Sequence, residues 1–167
     1  MGSDTDVVII PASSTRDYEW LRHLWISKWG GEIMVSRACC YKVAEVQAFL
    51  AIRDGKMLGA LSYVASGDQS ECVTLNALVP DQGIGTALLN AWQDWARRHR
   101  IARLWLVTSN DNLSALAFYQ RRGFRLLCVY PGAIDKARMN KPSIPLTGES
   151  GIPLHDEIEL EKWIDAN

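Results

Sequence analysis

The sequence predicts an α/β fold of the α+β kind, in which a strand meander feeds a strand–glycine turn–helix–strand–helix unit. Three observations predict it. The runs at residues 48–52 and 56–64 are strand-like and are joined by Asp54-Gly55, a strong short hairpin signal. The stretch from Glu71 is rich in Val, Thr and Leu and stops at Val79-Pro80, as a strand ended by a proline does. After Gly83 and Gly85, apolar residues recur at Ala87, Leu88, Ala91, Trp92 and Trp95, a spacing of three and four that marks one face of a helix.

The remaining elements follow in order. Residues 7–10 form a short apolar run ended by Pro11, a first strand. Ser13-Ser14-Thr15 offers helix caps ahead of the stripe Tyr18, Leu21, Leu24, Trp25 and Ile26, which ends at Gly30-Gly31. Trp25 is expected in the core, with Trp20 and Trp29 free to line a pocket. Residues 32–46 lack a clear period and are expected to be loop with a helical fragment. Ser66-Gly67-Asp68 turns the chain into the strand from Glu71, which completes a three-stranded antiparallel meander. Arg97, Arg98, His99 and Arg100 sit where cations favour a helix C-terminus, and Arg121-Arg122 is read in the same way, with an adenosine-phosphate contact as the alternative for both. Leu104 to Val107 reads as a buried strand, and Asn112 caps a helix carrying Ala115, Leu116 and Tyr119, closed by Gly123. Residues 125–130 read as another strand. The connection 131–153 holds a helical turn through Ile134 to Met139, and a connection of that length is usually functional or mobile. Residues 155–163 alternate, with Ile158 and Leu160 inward and Glu157, Glu159 and Glu161 outward, and close a hairpin with the preceding strand.

Composition narrows the function. A chain of 167 residues without repeats or linkers is expected to be one domain, 1–167, with a single substantial core. A net charge of −1 argues against a dedicated nucleic-acid or anionic-membrane surface. There is no membrane-length apolar run and no signal-peptide pattern at the start, so a cytoplasmic location is expected. Met1-Gly2 begins a myristoylation pattern, but its Ser or Thr position is Asp6. Cys39, Cys40, Cys72 and Cys128 have no metal-binding spacing and no evident His partner; they are expected to be reduced, mostly buried thiols, with no metal site.

The glycine turn carries the chemistry. Backbone amides at Gln82, Gly83, Ile84, Gly85 and Thr86 would point outward at the positive end of a helix dipole, an arrangement suited to an anion such as a phosphate. A plain tight turn is the alternative. A P-loop is excluded because Thr86-Ala87 stands where it needs Lys-Ser/Thr, and the dinucleotide fingerprint is excluded by Leu88 in place of its third small residue.

Together with Asn112-x-x-Ala115-x-x-Phe118-Tyr119-x-x-x-Gly123-Phe124, this turn resembles the core of the Gcn5-related N-acetyltransferase (GNAT) family over about fifty continuous residues. One departure is that Pro80 stands where the family usually has Gln or Arg, and the loop before Gly83 is shorter. The resemblance implies a mixed, mostly antiparallel central sheet flanked by helices on both faces, and acetyl-CoA as co-substrate. It implies that the pantetheine arm runs along Asn76, Ala77 and Leu78, that Asn112 adds a contact, and that Tyr119 protonates the departing thiolate. A phenol suits that role because its pKa of ~10 keeps it protonated; simple packing beside Phe118 is the alternative. Glu71 is the candidate base, acting through water, against an exposed strand-end charge or no dedicated base at all.

The expected acceptor is a primary amine of a small molecule. A protein N-terminus or lysine is the alternative acceptor, and a non-catalytic acyl-CoA-binding module the alternative function; homodimer formation is left open. The acceptor is expected between segments 29–37 and 131–153, near Trp29, Glu32, Asp135, Glu149, Asp156 and Glu157. Lys136, Arg138 and Lys141 partly offset these carboxylates.

Overall fold

The computed structural model describes residues 6–165, so Met1-Gly2 lies outside the described residues. In chain order the elements are β1 (Val8–Pro11), α1 (Thr15–Trp29), β2 (Ile33–Ser36), β3 (Cys39–Lys42), β4 (Gln47–Arg53), β5 (Lys56–Ser66), β6 (Gln69–Ala77), α2 (Ile84–Arg98), β7 (Arg103–Ser109), α3 (Leu113–Arg121), β8 (Arg125–Tyr130), α4 (Ala133–Asn140) and β9 (Glu157–Trp163). Seven strands form one sheet in the order β1-β4-β5-β6-β7-β9-β8. Every neighbouring pair is antiparallel except β6 and β7, which run parallel.

Helices cover both faces because the strands are apolar on both. Phe49, Leu61 and Tyr63 pack with Leu88, Leu89 and Trp92 of α2, whereas the alternating neighbours Leu50 and Ala60 pack with Leu21, Leu24 and Trp25 of α1. Local signals set the ends. Ser14 and Asp17 form a capping box at the start of α1, with Asp17 N–H donating to Ser14 Oγ (3.1 Å) and Ser14 N–H to Asp17 Oδ2 (3.2 Å). At the β4–β5 hairpin Asp54 and Gly55 both have positive φ, 51° and 74°, as the predicted turn requires.

Three expectations are overturned. Residues 32–46 are not mainly loop: β2 and β3 pair as a separate two-stranded hairpin, followed by a short 3₁₀ turn at Val43–Glu45. Its tip is Arg37-Ala38, both at positive φ (49° and 63°), a turn geometry ordinarily signalled by Asn or Gly. The outward face assigned to β9 is buried as well: Glu157 and Glu159 are 2 % and 3 % exposed. The hairpin tip is laid over this face, where Arg37 donates its backbone N–H to Glu157 Oε2 (3.1 Å) and its guanidinium to Glu159 Oε1 (2.5 Å). The guanidinium also stacks on Tyr130, 3.8 Å from the ring centre. Finally, Cys39 and Cys40 are exposed, because β3 belongs to this small hairpin and not to the main sheet; Cys72 alone is buried.

Backbone in the left-handed region costs roughly 1–2 kcal/mol for a residue with a Cβ. Ala38 is exposed, and no side-chain hydrogen bond is lost on replacing it by glycine. Ala38→Gly is therefore expected to raise stability by up to about 1 kcal/mol, the relief being partly offset by the entropy of a freer unfolded chain. Urea unfolding checks this, and a lower midpoint would contradict it.

Candidate active site

The site begins where the parallel pair comes apart. β6 and β7 are in register from Gln69↔Arg103 to Cys72↔Leu106, and there the pairing stops, although β6 continues to Ala77 and β7 to Ser109. On its other side β6 carries a bulge: Tyr63 faces Cys72 while Ser62 faces Thr74, leaving Val73 as the extra residue. The two strands thus bound a wedge. Leu78 N–H turns back to Leu58 O (2.8 Å), so by strand alternation the polar groups of Leu75 and Ala77 turn toward the wedge. Within the predicted segment Asn76–Ala77–Leu78, Ala77 thus presents its backbone to the gap. Asn76 instead receives Trp29 Nε1 on its Oδ1 (2.9 Å), tying the end of α1 to β6.

The glycine turn lies at the wider end of this wedge. Gly83 is the N-cap of α2 with φ +69°, and Ala87 N–H to Gly83 O (2.9 Å) opens the helix ladder. The N–H groups of Ile84, Gly85 and Thr86 precede that bond and have no intrahelical acceptor. A Cβ built on Gly83 meets nothing within 4 Å, whereas one on Gly85 meets Phe118 Cζ at 3.3 Å. Gly83 therefore keeps the approach to the turn open, and Gly85 serves close packing of α2 against α3. Two guanidiniums flank the turn. Arg53 donates to Gln82 Oε1 (2.6 Å). Arg122, read from sequence as a helix-end charge, stacks on Phe118 at 3.6 Å and donates to Thr86 Oγ1 (2.7 Å). Free amides, a helix N-terminus and two cations fit a pyrophosphate, and the free edge of β6 fits an extended amide-containing arm.

Tyr119 comes from α3 to the vertex of the wedge. It is 7 % exposed, its ring meets Phe118 and Phe124 edge-on, and its hydroxyl lies beside the thiol of Cys72, the last residue of β6 paired with β7. Burial, reinforced by that thiol, holds its pKa well above the ordinary phenol value. Asn112 caps α3, accepting Ala115 N–H on Oδ1 (3.2 Å), and also lines the cavity described next.

On the α1 side a cavity of about 730 Å³ opens against the wedge, walled by Trp29, Met34, Ser36, Val73, Val107 and Glu157, with α4 and the 141–154 connection as its outer wall. That connection is pinned in place. Buried Asp111 accepts Glu149 N–H (2.9 Å) and the Ser109 hydroxyl, and a Cβ on Gly148 would sit 1.9 Å from Asp111 Oδ2. Of the carboxylates expected near an acceptor, Glu149 and Glu157 line the cavity. Glu32 pairs instead with Arg22 (2.5 Å), and Asp135 with Arg138 (2.5 Å) and His155 (3.0 Å). Trp20 packs in the α1 core.

Glu71 is 2 % exposed, not a strand-end charge at the surface. It stands one layer behind the cavity wall, accepting the Ser36 hydroxyl on Oε1 (2.5 Å) and the Tyr41 hydroxyl on Oε2 (2.8 Å). Burial raises its pKa, the two hydroxyls lower it, and the nearby Glu159 and Glu157 raise it; the net direction is up. Ser36 and Tyr41 were invisible as site residues because they sit on the hairpin that the sequence does not signal; Arg37, which by position could meet an acceptor or stay solvated, instead holds Glu157 and Glu159. Among the described residues no cluster of side chains is suited to a metal ion.

This geometry agrees with the comparisons. The family model described as "Acetyltransferase (GNAT) family" matches residues 15–124. The uncharacterized protein YdhI of Bacillus subtilis (strain 168) is 35 % identical over 160 residues, covering 95 % of this chain and 99 % of that protein. Among solved structures, a GNAT family acetyltransferase from Elizabethkingia anophelis with acetyl-CoA bound superposes with a TM-score of 0.72 at 18 % identity, covering 97 % of this chain and 100 % of that one. A Bacillus subtilis acetyltransferase in complex with CoA gives 0.74 at 15 % identity, covering 96 % and 100 %. With a sheet that parts at Cys72, a glycine turn at the mouth of the parting and a family match across both, the chain belongs to the GNAT acetyltransferase family.

Proposed function

We propose that the protein is an acetyl-CoA-dependent N-acetyltransferase that moves the acetyl group to a primary amine of a small molecule by direct attack in a ternary complex, with residues 1–167 acting as one domain. The observation that carries this reading is the wedge itself. One side of it faces a turn suited to pyrophosphate, the other a cavity of about 730 Å³, a volume usual for small-molecule sites, and a tyrosine hydroxyl lies at its vertex.

In this reading the amides at 82–86 hold the pyrophosphate, the β6 edge at Asn76, Ala77 and Leu78 aligns the arm, and Asn112 adds a contact. A backbone N–H of β6 turned to the wedge polarises the thioester carbonyl. The amine nitrogen attacks the carbonyl carbon, the C–N bond forms and the C–S bond breaks. The Tyr119 hydroxyl gives its proton to the departing thiolate, and the proton that the nitrogen sheds on becoming an amide returns, through water, to the phenolate and restores Tyr119. Burial that disfavours a phenolate there disfavours a thiolate equally, so the basicities of donor and acceptor rise together. The proton of the incoming ammonium passes through Ser36, or a water beside it, to Glu71, whose raised pKa makes it the stronger proton acceptor. Transfer to protein amines and coenzyme binding without turnover are the competing readings. Thiol release across an amine panel decides, and binding with no release above hydrolysis would leave only a binding module.

Gly83→Val is expected to weaken coenzyme A binding at least about tenfold by calorimetry, since a side chain there enters the open approach at positive φ. Unchanged affinity in the folded variant would remove the turn from the site. Tyr119→Phe should lower kcat by about 100- to 10,000-fold with coenzyme affinity nearly constant; turnover within about threefold of wild type would return Tyr119 to a packing role. Glu71 accepts a proton only when ionised, and its pKa is raised. Activity is therefore expected to fall with decreasing pH at a pH above the ordinary carboxylate range. Glu71→Gln should abolish that limb of the kcat/KM profile, and a limb that persists would exclude Glu71 as its source.

A further inference from the structure

The cavity on the α1 side is polarised, and its two anchoring charges are incompletely partnered. On the sheet wall Glu157 is 2 % exposed. Its Oε2 accepts the Arg37 backbone N–H (3.1 Å), while Oε1 accepts no hydrogen bond from the described residues, although the residue lines the cavity. Its cross-strand partner on β7 is Ser109, and the next cavity-lining residue of that strand face is Val107, at the wedge. Glu157 thus stands on the same face as the opening through which an attacking nitrogen reaches the thioester. It forms no ion pair with a described residue. Two guanidiniums, Arg37 and Arg103, pair directly with Glu159 and Glu161, whereas the Glu157 carboxylate is hydrogen-bonded, among the described residues, only by the Arg37 N–H and feels the Arg37 guanidinium without pairing to it.

Lys141 caps α4 on the outer wall. It is half-buried, and its ammonium makes no ion pair with any described residue; its one side-chain hydrogen bond is to the thioether of Met34 (3.8 Å). Burial lowers its pKa, the response of a cation short of an anionic partner. Lys28, exposed at the end of α1, lines the same cavity. A buried carboxylate with a free oxygen and a half-buried ammonium with only a sulfur neighbour thus face one space.

We propose that the acceptor is a small zwitterion, a primary amine that also carries a carboxylate, with its ammonium at Glu157 and its carboxylate at Lys141. Each end meets a charge that the protein leaves open, and the apolar body lies against Trp29, Met34, Val73 and Val107. This assignment rests on the acetyl-transfer reading for its chemistry, but the recognition it describes is a binding property.

The test pairs amino acids, both α- and ω-amino and of several chain lengths, with the amines formed by their decarboxylation. Thiol release with acetyl-CoA is measured for each, and binding to the protein saturated with coenzyme A is measured by calorimetry. At least one amino acid is expected to exceed its decarboxylated partner by about ten- to a hundredfold in affinity or kcat/KM, the scale of one charge-assisted contact. Lys141→Met should reduce that ratio to within about twofold, and Lys141→Arg should restore much of it. Amines acetylated without any carboxylate preference, or a ratio unmoved in Lys141→Met, would overturn the zwitterion assignment and leave acetyl transfer intact. Carboxylate-dependent binding that is lost in Lys141→Met, with no thiol release from any pair, would support the assignment and overturn the transfer reading. No binding and no release for any pair would overturn the assignment as well.

Discussion

The parting of β6 from β7 is the constraint on which the rest of the structure depends. A parallel pair has no reason of its own to stop while both strands continue, since each further residue would add a ladder bond. The cause lies on the other edge of β6. One extra residue, Val73, is accommodated between Cys72 and Thr74 opposite Tyr63 and Ser62, and a bulge bends its strand and sharpens its twist. It also shifts the alternation. Cys72 and Leu75 pack on the α2 side although their spacing is odd, and Val73 packs on the α1 side. The buried hydroxyls of Ser62 and Thr74 satisfy each other beside the irregularity, so no polar group there is stranded. The consequences are a strand edge with its polar groups turned to a gap, a glycine turn at the mouth of that gap, and Tyr119 at its vertex.

The second determinant is electrostatic. Glu71, Glu157 and Glu159 are buried together under the β2–β3 hairpin, a costly arrangement for three carboxylates. It persists because Arg37 and Arg103 pair with Glu159 (2.5 and 2.7 Å), while Ser36 and Tyr41 bond Glu71. The hairpin in turn is held by the same contacts. Its tip keeps two residues with side chains at positive φ, and the Arg37 clamp offsets that strain. Burial raises the pKa values of Glu71 and Glu157, and Glu157 lies on one wall of the cavity while Lys141 and Lys28 lie on others. The same arrangement holds the hairpin down and polarises the cavity.

What the sequence by itself determined is what depends on neighbours along the chain. Ser14 and Asp17 announce the start of α1, Asp54-Gly55 the β4–β5 turn, and the Leu88–Trp92–Trp95 stripe the buried face of α2. The glycines with Asn112, Phe118, Tyr119, Gly123 and Phe124 announce the family core. Each of these is a local steric or hydrogen-bonding rule, readable within one or two turns of chain. Tertiary structure decided the rest. No local signal marks the β2–β3 hairpin, because Arg37-Ala38 adopts its turn only under the hold of Glu157 and Glu159, some 120 residues away. The alternation of Glu157, Glu159 and Glu161 correctly marks a strand but assigns its polar face to solvent, and that face is buried only because the hairpin lies on it. Arg122 reads as a helix-end charge until α2 and α3 pack and bring it to Thr86. Burial and charge pairing are sums over contacts between distant segments, so the glycine turn and the family core could be read from the sequence, and the electrostatics of the cavity beside them could not.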